Sequence, residues 1–438
     1  MSKACRVVGP AHGLREEIRV PGDKSITHRA IILGSLAEGR TEVKGFLKGE
    51  DCLRTAHAFA AMGIAMEGLE GEELAISGRG LRGLQEPEEV IDCGNSGTTM
   101  RLLAGVLAGQ PFLSILTGDG SLRRRPMGRV VEPLRKMGAQ IWGRDKGSLP
   151  PLAILGGPLR GLFYESPIAS AQVKSALLLA GLFAEGETVV VEPFPSRDHT
   201  ERMLKSFGVS VSQNGTAVAV EPPRALIPQR IFVPGDFSSA AFFLVASILV
   251  PDTELLIKDV GINPTRTGLL DALRLMGAEM EMIRVREVSG EPVADIRAKA
   301  GPLQGIEVKG ALIPRMIDEV PAFAVAACRA EGVSVIRDAL ELRVKEADRL
   351  AALASELKKL GAKVEELPDG LIIEGGGGLK GADCESYGDH RMAMALSVAG
   401  LVAEGETRIT DASCVDISFP GFFETLARLA PGALTYGE

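Results

Sequence analysis

A short motif recurs along this chain at nearly regular intervals, and its spacing constrains the fold more than any other feature. The motif is an amphipathic helical segment that ends in glycine, and its clear copies end at Gly63, Gly138, Gly208, Gly277 and Gly361. Successive glycines lie 75, 70, 69 and 84 residues apart by subtraction of these numbers. Glycine at a helix end adopts the left-handed conformation at little cost. The alternating residues that follow predict a half-buried strand.

A second recurrence supports the same division of the chain. Ala-Glu-Gly leaves an apolar helix and enters a predicted strand at Ala37, Ala184, Ala330 and Ala403, and a degraded copy of the first motif lies at residues 426–429. Six similar units indicate one supersecondary module used six times. Because each unit is expected to hold two helices and several strands, the sequence predicts an α/β fold with β-rich repeats.

The six units divide into two groups of three. Val-Pro-Gly-Asp begins at Val20 and again at Val233, which is 213 residues later. The tetrapeptide also suits an ordinary turn, but both copies fall where a block of three units begins. A chain of 438 residues is too long for one hydrophobic core and suits two domains of about 200 residues each. We therefore interpret the two copies as domain boundaries.

Composition excludes several classes of protein. The longest apolar run, residues 240–250, predicts a buried helix because a membrane span needs about 20 apolar residues. The N-terminus lacks the long apolar core of a signal peptide. The six cysteines are scattered singly, which argues against a disulfide framework and a zinc site. We expect a reduced, cytoplasmic protein. A net charge of −8, with three tyrosines and one tryptophan, argues against nucleic acid as the main partner.

Basic residues lie at several predicted helix N-termini, where the partial positive charge of the helix normally favours Asp or Glu. These segments are residues 23–29, 95–101, 123–129, 196–199 and 388–391. Each such placement costs some tenths of a kcal/mol, up to about 1 kcal/mol. Each segment alone is also explained by a capped turn, and the Arg123–Arg125 run by a solvated face. Together they predict helix N-termini that converge and hold anions.

Taken together, these motifs resemble the 5-enolpyruvylshikimate-3-phosphate synthase family, with details of its class II bacterial subgroup at residues 168–174 and 197–200. The strongest matches are residues 94–98, 124–128, 343–349 and 388–393, and the resemblance extends from Pro21 to Pro420. It implies a two-domain inverse α/β barrel (the enolpyruvyl transferase fold) with three βαβαββ units in each domain. The implied domains are residues 22–234 and residues 1–21 plus 235–438, with a cleft and hinge between them.

The resemblance also implies an activity: transfer of the enolpyruvyl group of phosphoenolpyruvate to the 5-hydroxyl of shikimate 3-phosphate, with release of phosphate. It implies no metal or organic cofactor, two small anionic partners and a monomer. The implied shikimate 3-phosphate contacts are Lys24, Ser25, Arg29, Ser170, Ala171, Gln172, Arg197, Asp318 and Lys345. The implied phosphoenolpyruvate contacts are Lys24, Asn95, Gly97, Arg125, Gln172, Arg349 and Arg391.

Three residues are implied to move protons: Asp318 at the 5-hydroxyl, and Glu346 with Lys24 at the carboxyvinyl carbon. A positioned acid or base accelerates such a step about 10²–10⁴-fold. From the residues alone, Asp318 is as well explained as the N-cap of the following apolar helix. Its neighbour Glu319 is the other candidate for the same role.

The chain departs from the pattern at two positions. Ala171 stands where some family members have a second serine, and the segment before Phe419 lacks a lysine that some of them have. Members of the subgroup that tolerate the inhibitor glyphosate carry alanine at the position of Gly97, so glycine predicts room for the inhibitor.

Two other functions compete with this interpretation. The sister enzyme with the same fold transfers the enolpyruvyl group to UDP-N-acetylglucosamine, but it uses a cysteine on a mobile loop that residues 111–125 lack. A non-catalytic, anion-binding repeat protein predicts binding without turnover.

The expected layout predicts a change in compactness. Two domains with basic helix N-termini should repel each other until dianions bridge them. We expect shikimate 3-phosphate to reduce the radius of gyration measured by small-angle scattering, and an unchanged radius would count against this layout.

Overall fold

The chain divides into two compact units. The computed structural model describes residues 3–437. Unit 1 is Met1–Pro21, Pro234–Glu287 and Pro292–Glu438, whereas unit 2 is Gly22–Val233 and Val288–Glu291. The second crossing therefore lies one residue before the expected boundary. No pattern in the sequence indicates that Val288–Glu291 belongs to unit 2.

Residues 3–437 form thirteen α-helices, six in unit 2 and seven in unit 1. In unit 2 they are α1 (Lys24–Leu36), α2 (Glu50–Ala61), α3 (Gly97–Ala108), α4 (Gly128–Lys136), α5 (Ala171–Gly181) and α6 (His199–Ser206). In unit 1 they are α7 (Phe237–Leu249), α8 (Gly268–Leu275), α9 (Leu312–Met316), α10 (Val320–Arg329), α11 (Arg349–Lys359), α12 (His390–Leu401) and α13 (Phe422–Leu429).

The strands of the same residues are short, with two to nine residues each. They are β1 (Cys5–Gly9), β2 (Glu17–Arg19), β3 (Glu38–Lys44), β4 (Ala65–Glu67), β5 (Glu73–Arg79), β6 (Ile91–Asp92), β7 (Leu113–Thr117), β8 (Gln140–Arg144), β9 (Leu149–Leu155), β10 (Leu159–Arg160), β11 (Phe163–Glu165), β12 (Ala184–Glu185), β13 (Thr188–Val191), β14 (Val211–Asn214), β15 (Ala217–Val220), β16 (Arg230–Phe232), β17 (Glu254–Gly261), β18 (Met280–Val288), β19 (Glu291–Lys299), β20 (Glu307–Val308), β21 (Val333–Ile336), β22 (Lys363–Leu367), β23 (Gly370–Glu374), β24 (Leu379–Lys380), β25 (Asp383–Glu385), β26 (Ala403–Thr410) and β27 (Leu434–Tyr436).

Six of the sheets share one topology, which confirms the sixfold repeat. In each, an edge strand pairs parallel with a second strand, the second pairs antiparallel with a third, and the fourth lies against the third. Unit 2 holds the orders β16-β3-β5-β4, β6-β7-β9-β8 and β11-β13-β15-β14. Unit 1 holds β2-β17-β19-β18, β20-β21-β23-β22 and β25-β26-β1-β27. Strand β1, near the start of the chain, thus completes the last repeat.

The glycines of the first motif end helices as expected. All five have positive φ, between 85° and 110°, and each lies two residues after the last residue of its helix. The predicted strands follow at β8 and β22, among others. Backbone geometry therefore explains why this motif recurs once per unit.

Both copies of Val-Pro-Gly-Asp begin a helix at a crossing between the units. The Asp23 side chain caps α1 by accepting a hydrogen bond from the Ile26 amide at 2.9 Å. The Asp236 side chain caps α7 in the same way, by accepting a hydrogen bond from the Ser238 amide at 2.7 Å. Within unit 1 the two crossings are adjacent, since the Asp236 amide donates to the Pro21 carbonyl at 2.8 Å.

Each unit has its own apolar core. The core of unit 2 is built around α1, α3 and α5, whereas the core of unit 1 surrounds α7, α10 and α12. Helix α7 contains residues 240–249 of the apolar run, Val250 is its C-cap, and the helix is buried along almost its whole length. No helix within residues 3–437 has both the length and the apolarity that a membrane crossing requires.

The packing of α3 against α5 predicts a specific sensitivity. A Cβ atom at Gly105 would lie 2.2 Å from the backbone carbonyl oxygen of Ala176, a contact that neither helix can relieve by side-chain motion. We expect Gly105→Ala to lower the midpoint of thermal unfolding by several degrees. Gly157→Ala is the control, because a Cβ there meets nothing within 4 Å. Equal effects of the two substitutions would contradict this account of the packing.

Candidate active site

Lys24 is the first residue of α1 in unit 2 and is paired with a carboxylate. Its Nζ lies 3.1 Å from Oδ2 of Asp51, on α2, and both side chains are largely buried. Ser25 follows at the same helix end and is partly exposed. The N-terminus of α1 therefore presents an ammonium group that is already held in place by a neighbouring carboxylate.

Arg29, one turn further along α1, connects three helices. Its Nε donates to Thr200 Oγ1 at 2.6 Å, and Nη2 donates to Ser175 Oγ at 2.7 Å. Nη1 donates to the Ser25 carbonyl at 2.9 Å. Burial lowers the pKa of Arg29 to about 10, which leaves the guanidinium charged at neutral pH. The residue therefore holds the N-termini of α1, α5 and α6 together.

Asn95 and Arg125 form the second cationic position of unit 2. Nη1 of Arg125 donates to the Asn95 carbonyl at 3.1 Å, and its Nη2 donates to the Asn95 side-chain oxygen. The Asn95 side-chain Nδ2 in turn donates to Asp119 Oδ2 at 2.6 Å. Arg125 is buried, whereas Arg123 and Arg124 are exposed. The solvated-face interpretation thus holds for two of the three arginines, and the third points inward.

Gly97 begins α3 beside a glutamine and an arginine. Gln172 donates to Thr98 Oγ1 at 2.9 Å and accepts a hydrogen bond from Nη1 of Arg101. A Cβ atom at Gly97 would lie 3.0 Å from that nitrogen and 3.4 Å from Nη1 of Arg125. Glycine therefore leaves space that two guanidinium groups border.

Ser170, Ala171 and Arg197 are partly exposed and lie at the N-termini of α5 and α6. Ser170 precedes α5 without capping it through its side chain. Its amide donates instead to Oε1 of Glu192 at 3.0 Å. Arg197 lies two residues before α6. The backbone at Ser170 is therefore held by a carboxylate from outside the two helices.

Asp318 lies in unit 1 within 4 Å of three cations. Its Oδ1 is 3.2 Å from Nη1 of Arg349 and 3.6 Å from Nζ of Lys345, and its Oδ2 is 3.8 Å from Nη2 of Arg391. Arg391 also donates to the Asp318 backbone carbonyl at 3.1 Å. The carboxylate is not the N-cap of α10, because that position belongs to Glu319. The alternative role for Asp318 as a simple cap was therefore wrong.

Arg349 holds three carboxylates and is almost fully buried. Besides Asp318, its Nη2 donates to Glu346 Oε2 at 2.7 Å and its Nε donates to Asp389 Oδ2 at 2.7 Å. These carboxylates raise the pKa of Arg349 far above its usual value against the opposing effect of burial. Burial lowers the pKa of Lys345, partly offset by Asp318. Three cations and three carboxylates thus form one balanced cluster in unit 1.

The structure sorts the predicted residues into two groups. Unit 2 holds Lys24, Ser25, Arg29, Asn95, Gly97, Arg125, Ser170, Ala171, Gln172 and Arg197, at the starts of α1, α3, α5 and α6 and in the loop before α4. Unit 1 holds Asp318, Lys345, Glu346, Arg349 and Arg391, within one network of ion pairs.

The sequence prediction missed the carboxylates that accompany these cations. Asp389, Asp51 and Glu192 contact predicted site residues directly. Asp389 lies inside the motif at residues 388–391 and was detectable there. Glu192 follows β13 in no recognisable motif, so only the folded chain reveals its contacts.

Both the sequence and the structure of this chain match those of known proteins. Residues 8–426 match the family described as EPSP synthase (3-phosphoshikimate 1-carboxyvinyltransferase). A 3-phosphoshikimate 1-carboxyvinyltransferase of Desulforudis audaxviator is 57% identical over 422 residues, which cover 96% of this chain and 98% of that protein. One of Geobacter metallireducens is 56% identical over 423 residues, covering 97% and 98%. The structure of EPSP synthase from Acinetobacter baumannii matches with a TM-score of 0.88 and 45% identity, covering 100% of both chains.

The burial of the cysteines predicts that the native protein resists alkylation. All six are buried, and burial raises the pKa of Cys5, Cys328, Cys384 and Cys414 to about 12. Since the thiolate is the reactive form, we expect iodoacetamide at pH 8 to leave the native protein unmodified and its activity intact. Mass spectrometry should find six labelled cysteines after denaturation. Rapid labelling of a native cysteine with loss of activity would contradict this view.

Proposed function

Because this chain belongs to the EPSP synthase family, we infer that it transfers the enolpyruvyl group of phosphoenolpyruvate to the 5-hydroxyl of shikimate 3-phosphate and releases phosphate. The fold is the two-domain α/β fold of that family. The observation that supports the assignment best is the cluster around Asp318, where a carboxylate suited to proton transfer lies among cations suited to anionic substrates.

The two substrates explain why so many of the candidate site residues are basic. Phosphoenolpyruvate and shikimate 3-phosphate each contain a phosphate and a carboxylate. A charge-assisted hydrogen bond to such a group contributes about 1.5–3 kcal/mol, and the arginine fork fits both carboxylate and phosphate oxygens. Helix N-termini add backbone amides that favour the same anions.

We assign shikimate 3-phosphate to a set of residues drawn from both groups. They are Lys24, Ser25, Arg29, Ser170, Ala171, Gln172, Arg197, Asp318 and Lys345. At Ala171 the contribution is limited to the backbone amide, because its side chain has no hydroxyl group. Arg29 already donates to three protein oxygens, so its main effect is to fix the neighbouring helix ends.

We assign phosphoenolpyruvate to Lys24, Asn95, Gly97, Arg125, Gln172, Arg349 and Arg391. Arg125 and Arg391 each have a nitrogen that donates to a backbone carbonyl, which orients the guanidinium plane. Arg349 is bonded to three carboxylates and therefore also positions Glu346. The missing lysine near Phe419 removes one cation from this set, which lowers the expected affinity for phosphoenolpyruvate.

The reaction requires two proton transfers before phosphate leaves. A proton is delivered to the methylene carbon of phosphoenolpyruvate, and the neighbouring carbon becomes electrophilic. The 5-hydroxyl attacks that carbon and loses its proton to Asp318. The tetrahedral adduct then expels phosphate and returns a methyl proton. Glu346 and Lys24 are assigned to the carbon end, and the Arg349 hydrogen bond holds the Glu346 carboxylate in one orientation.

Two narrower expectations remain predictions. We propose that the protein acts in the cytoplasm and as a monomer. The sister activity toward UDP-N-acetylglucosamine is the alternative acceptor reaction, and it is tested by the same assay with that nucleotide sugar in place of shikimate 3-phosphate.

Phosphate release tests the proposed function directly. We expect release of inorganic phosphate only when both substrates are present, and none with UDP-N-acetylglucosamine. Asp318→Asn and Glu346→Gln should each lower kcat about 10²–10⁴-fold, because each removes a proton-transfer group.

Glu374→Gln is the matched control for these two substitutions. It makes the same carboxyl-to-amide change in unit 1, at an exposed pair with Lys363, and should leave kcat unchanged. A protein that binds both anions without turnover, or one indifferent to Asp318→Asn, would instead fit the anion-binding alternative.

The space at Gly97 predicts the response to glyphosate. The methyl group of Gly97→Ala would press on the guanidinium groups of Arg101 and Arg125. We expect glyphosate to inhibit the native protein appreciably and to inhibit Gly97→Ala much less. Inhibition titrations that give equal sensitivity would refute the steric account.

A further inference from the structure

A buried triad of charged side chains lies behind the N-termini of α5 and α6 in unit 2. Nζ of Lys174 is 2.8 Å from Glu192 Oε2 and 2.8 Å from Glu201 Oε1. The exposed fractions of the three side chains are 3%, 2% and 4% in that order. None of these residues belongs to the predicted substrate contacts, so the reaction described above does not explain their burial.

Glu192 connects this triad to two segments assigned to shikimate 3-phosphate. Its Oε1 accepts the Ser170 amide at 3.0 Å, and its Oε2 accepts the Ser196 amide at 3.3 Å and the Ser196 hydroxyl at 2.9 Å. Lys174 adds a hydrogen bond to the Ser196 carbonyl at 3.3 Å. One carboxylate thus fixes the backbone at Ser170 and the residue immediately before Arg197.

The triad is costly to bury, which argues that it does more than fill space. A buried ion pair is often no more stabilising than apolar residues of the same volume. Here a third charge, Glu201, also lies 2.8 Å from Lys174, so the buried cluster holds two carboxylates against one ammonium group. Burial raises the pKa of Glu201 despite the nearby ammonium group.

Lys174 stays charged within this cluster. Burial acts to lower the pKa of Lys174, but the two carboxylates outweigh burial and raise it. The ammonium group, 2.8 Å from Oε2, therefore holds the Glu192 carboxylate in one orientation. The three hydrogen bonds that Glu192 accepts depend on that orientation.

We propose that Glu192, held by Lys174, is a positioning residue that sets Ser170 and Arg197 in register to bind the phosphate of shikimate 3-phosphate. The proposal rests on the proposed function and adds a specificity role to residues that touch no substrate. It assigns the effect of Glu192 to one substrate, because the described partners of the Glu192 carboxylate are Ser170, Ser196 and Lys174 and include none of the phosphoenolpyruvate residues of unit 2. Those residues are Lys24, Asn95, Gly97, Arg125 and Gln172.

Glu192→Gln tests the proposal with little change of shape. Glutamine keeps one acceptor for the Ser170 amide but places an NH₂ group against the donors of Ser196 and Lys174. We expect the KM for shikimate 3-phosphate to rise about tenfold, as for one misplaced charge-assisted contact. The KM for phosphoenolpyruvate and kcat should change less than about twofold at saturation. Calorimetric titration of shikimate 3-phosphate should show the same loss of affinity.

Asp295→Asn is the matched control, because Asp295 is a buried carboxylate in unit 1 that accepts the Asp259 amide at 2.9 Å and pairs with Arg284. It should lower thermal stability as Glu192→Gln does, yet leave both KM values unchanged. Ser196→Ala is a milder variant that removes only the hydroxyl donor to Glu192, and it should raise the same KM by a smaller factor.

The outcomes distinguish failure of the proposed function from failure of the positioning role of Glu192. Native protein without substrate-dependent phosphate release overturns the proposed function and this inference with it. Native turnover combined with an unchanged KM for shikimate 3-phosphate in Glu192→Gln, or in Ser196→Ala if the first variant does not fold, overturns the positioning role alone. Equal rises in both KM values likewise indicate a purely structural role.

Discussion

Buried cations need anionic partners, and this electrostatic constraint organises the candidate site residues in both unit 1 and unit 2. An isolated ammonium or guanidinium group out of water is strongly unfavourable unless a carboxylate or another anion accompanies it. Lys24 has Asp51, Lys174 has Glu192, and Arg349 has Asp318, Glu346 and Asp389. The internal carboxylates offset the free-energy cost of burying the basic side chains and orient them before any substrate binds.

The internal carboxylates also lower the net positive charge of the candidate anion-binding residues. The motifs show cations at helix N-termini and suggest a strongly positive site. In unit 1, however, Lys345, Arg349 and Arg391 face an equal number of carboxylates. Attraction of substrate there depends on the geometry of the donors more than on net charge. The expectation of repulsion between the units counts the cations alone and therefore overstates the positive charge of the unit 1 cluster.

The repeat could be predicted from sequence because it rests on local backbone rules. Gly63 and the four equivalent glycines end helices with positive φ, and Asp23 and Asp236 cap helices after the same turn. Such signals lie within a few residues of one another. The role of β1 in the last sheet depends on pairing with β26 and β27, some 400 residues away, and no local pattern indicates it.

The candidate site could likewise be predicted only where its residues lie within local motifs. Side chains within dense motifs, such as Lys24, Arg125 and Arg391, could be proposed as site residues because their motifs are specific. Glu192 and Asp51 were missed, since their contacts span 22 and 27 residues respectively and neither lies in a recognisable pattern. The excursion at Val288–Glu291 was missed for the same reason: Glu291 reaches His199, 92 residues away, at 2.7 Å.

We propose that the cations of the two units bind one pair of anionic substrates. A crystal structure of the protein with shikimate 3-phosphate bound tests that claim most directly. We predict that Lys24 and Arg197 from unit 2 and Lys345 from unit 1 all contact the same bound molecule at hydrogen-bond distance. A ligand bound elsewhere, or one that touches only one of the two groups, would contradict the account.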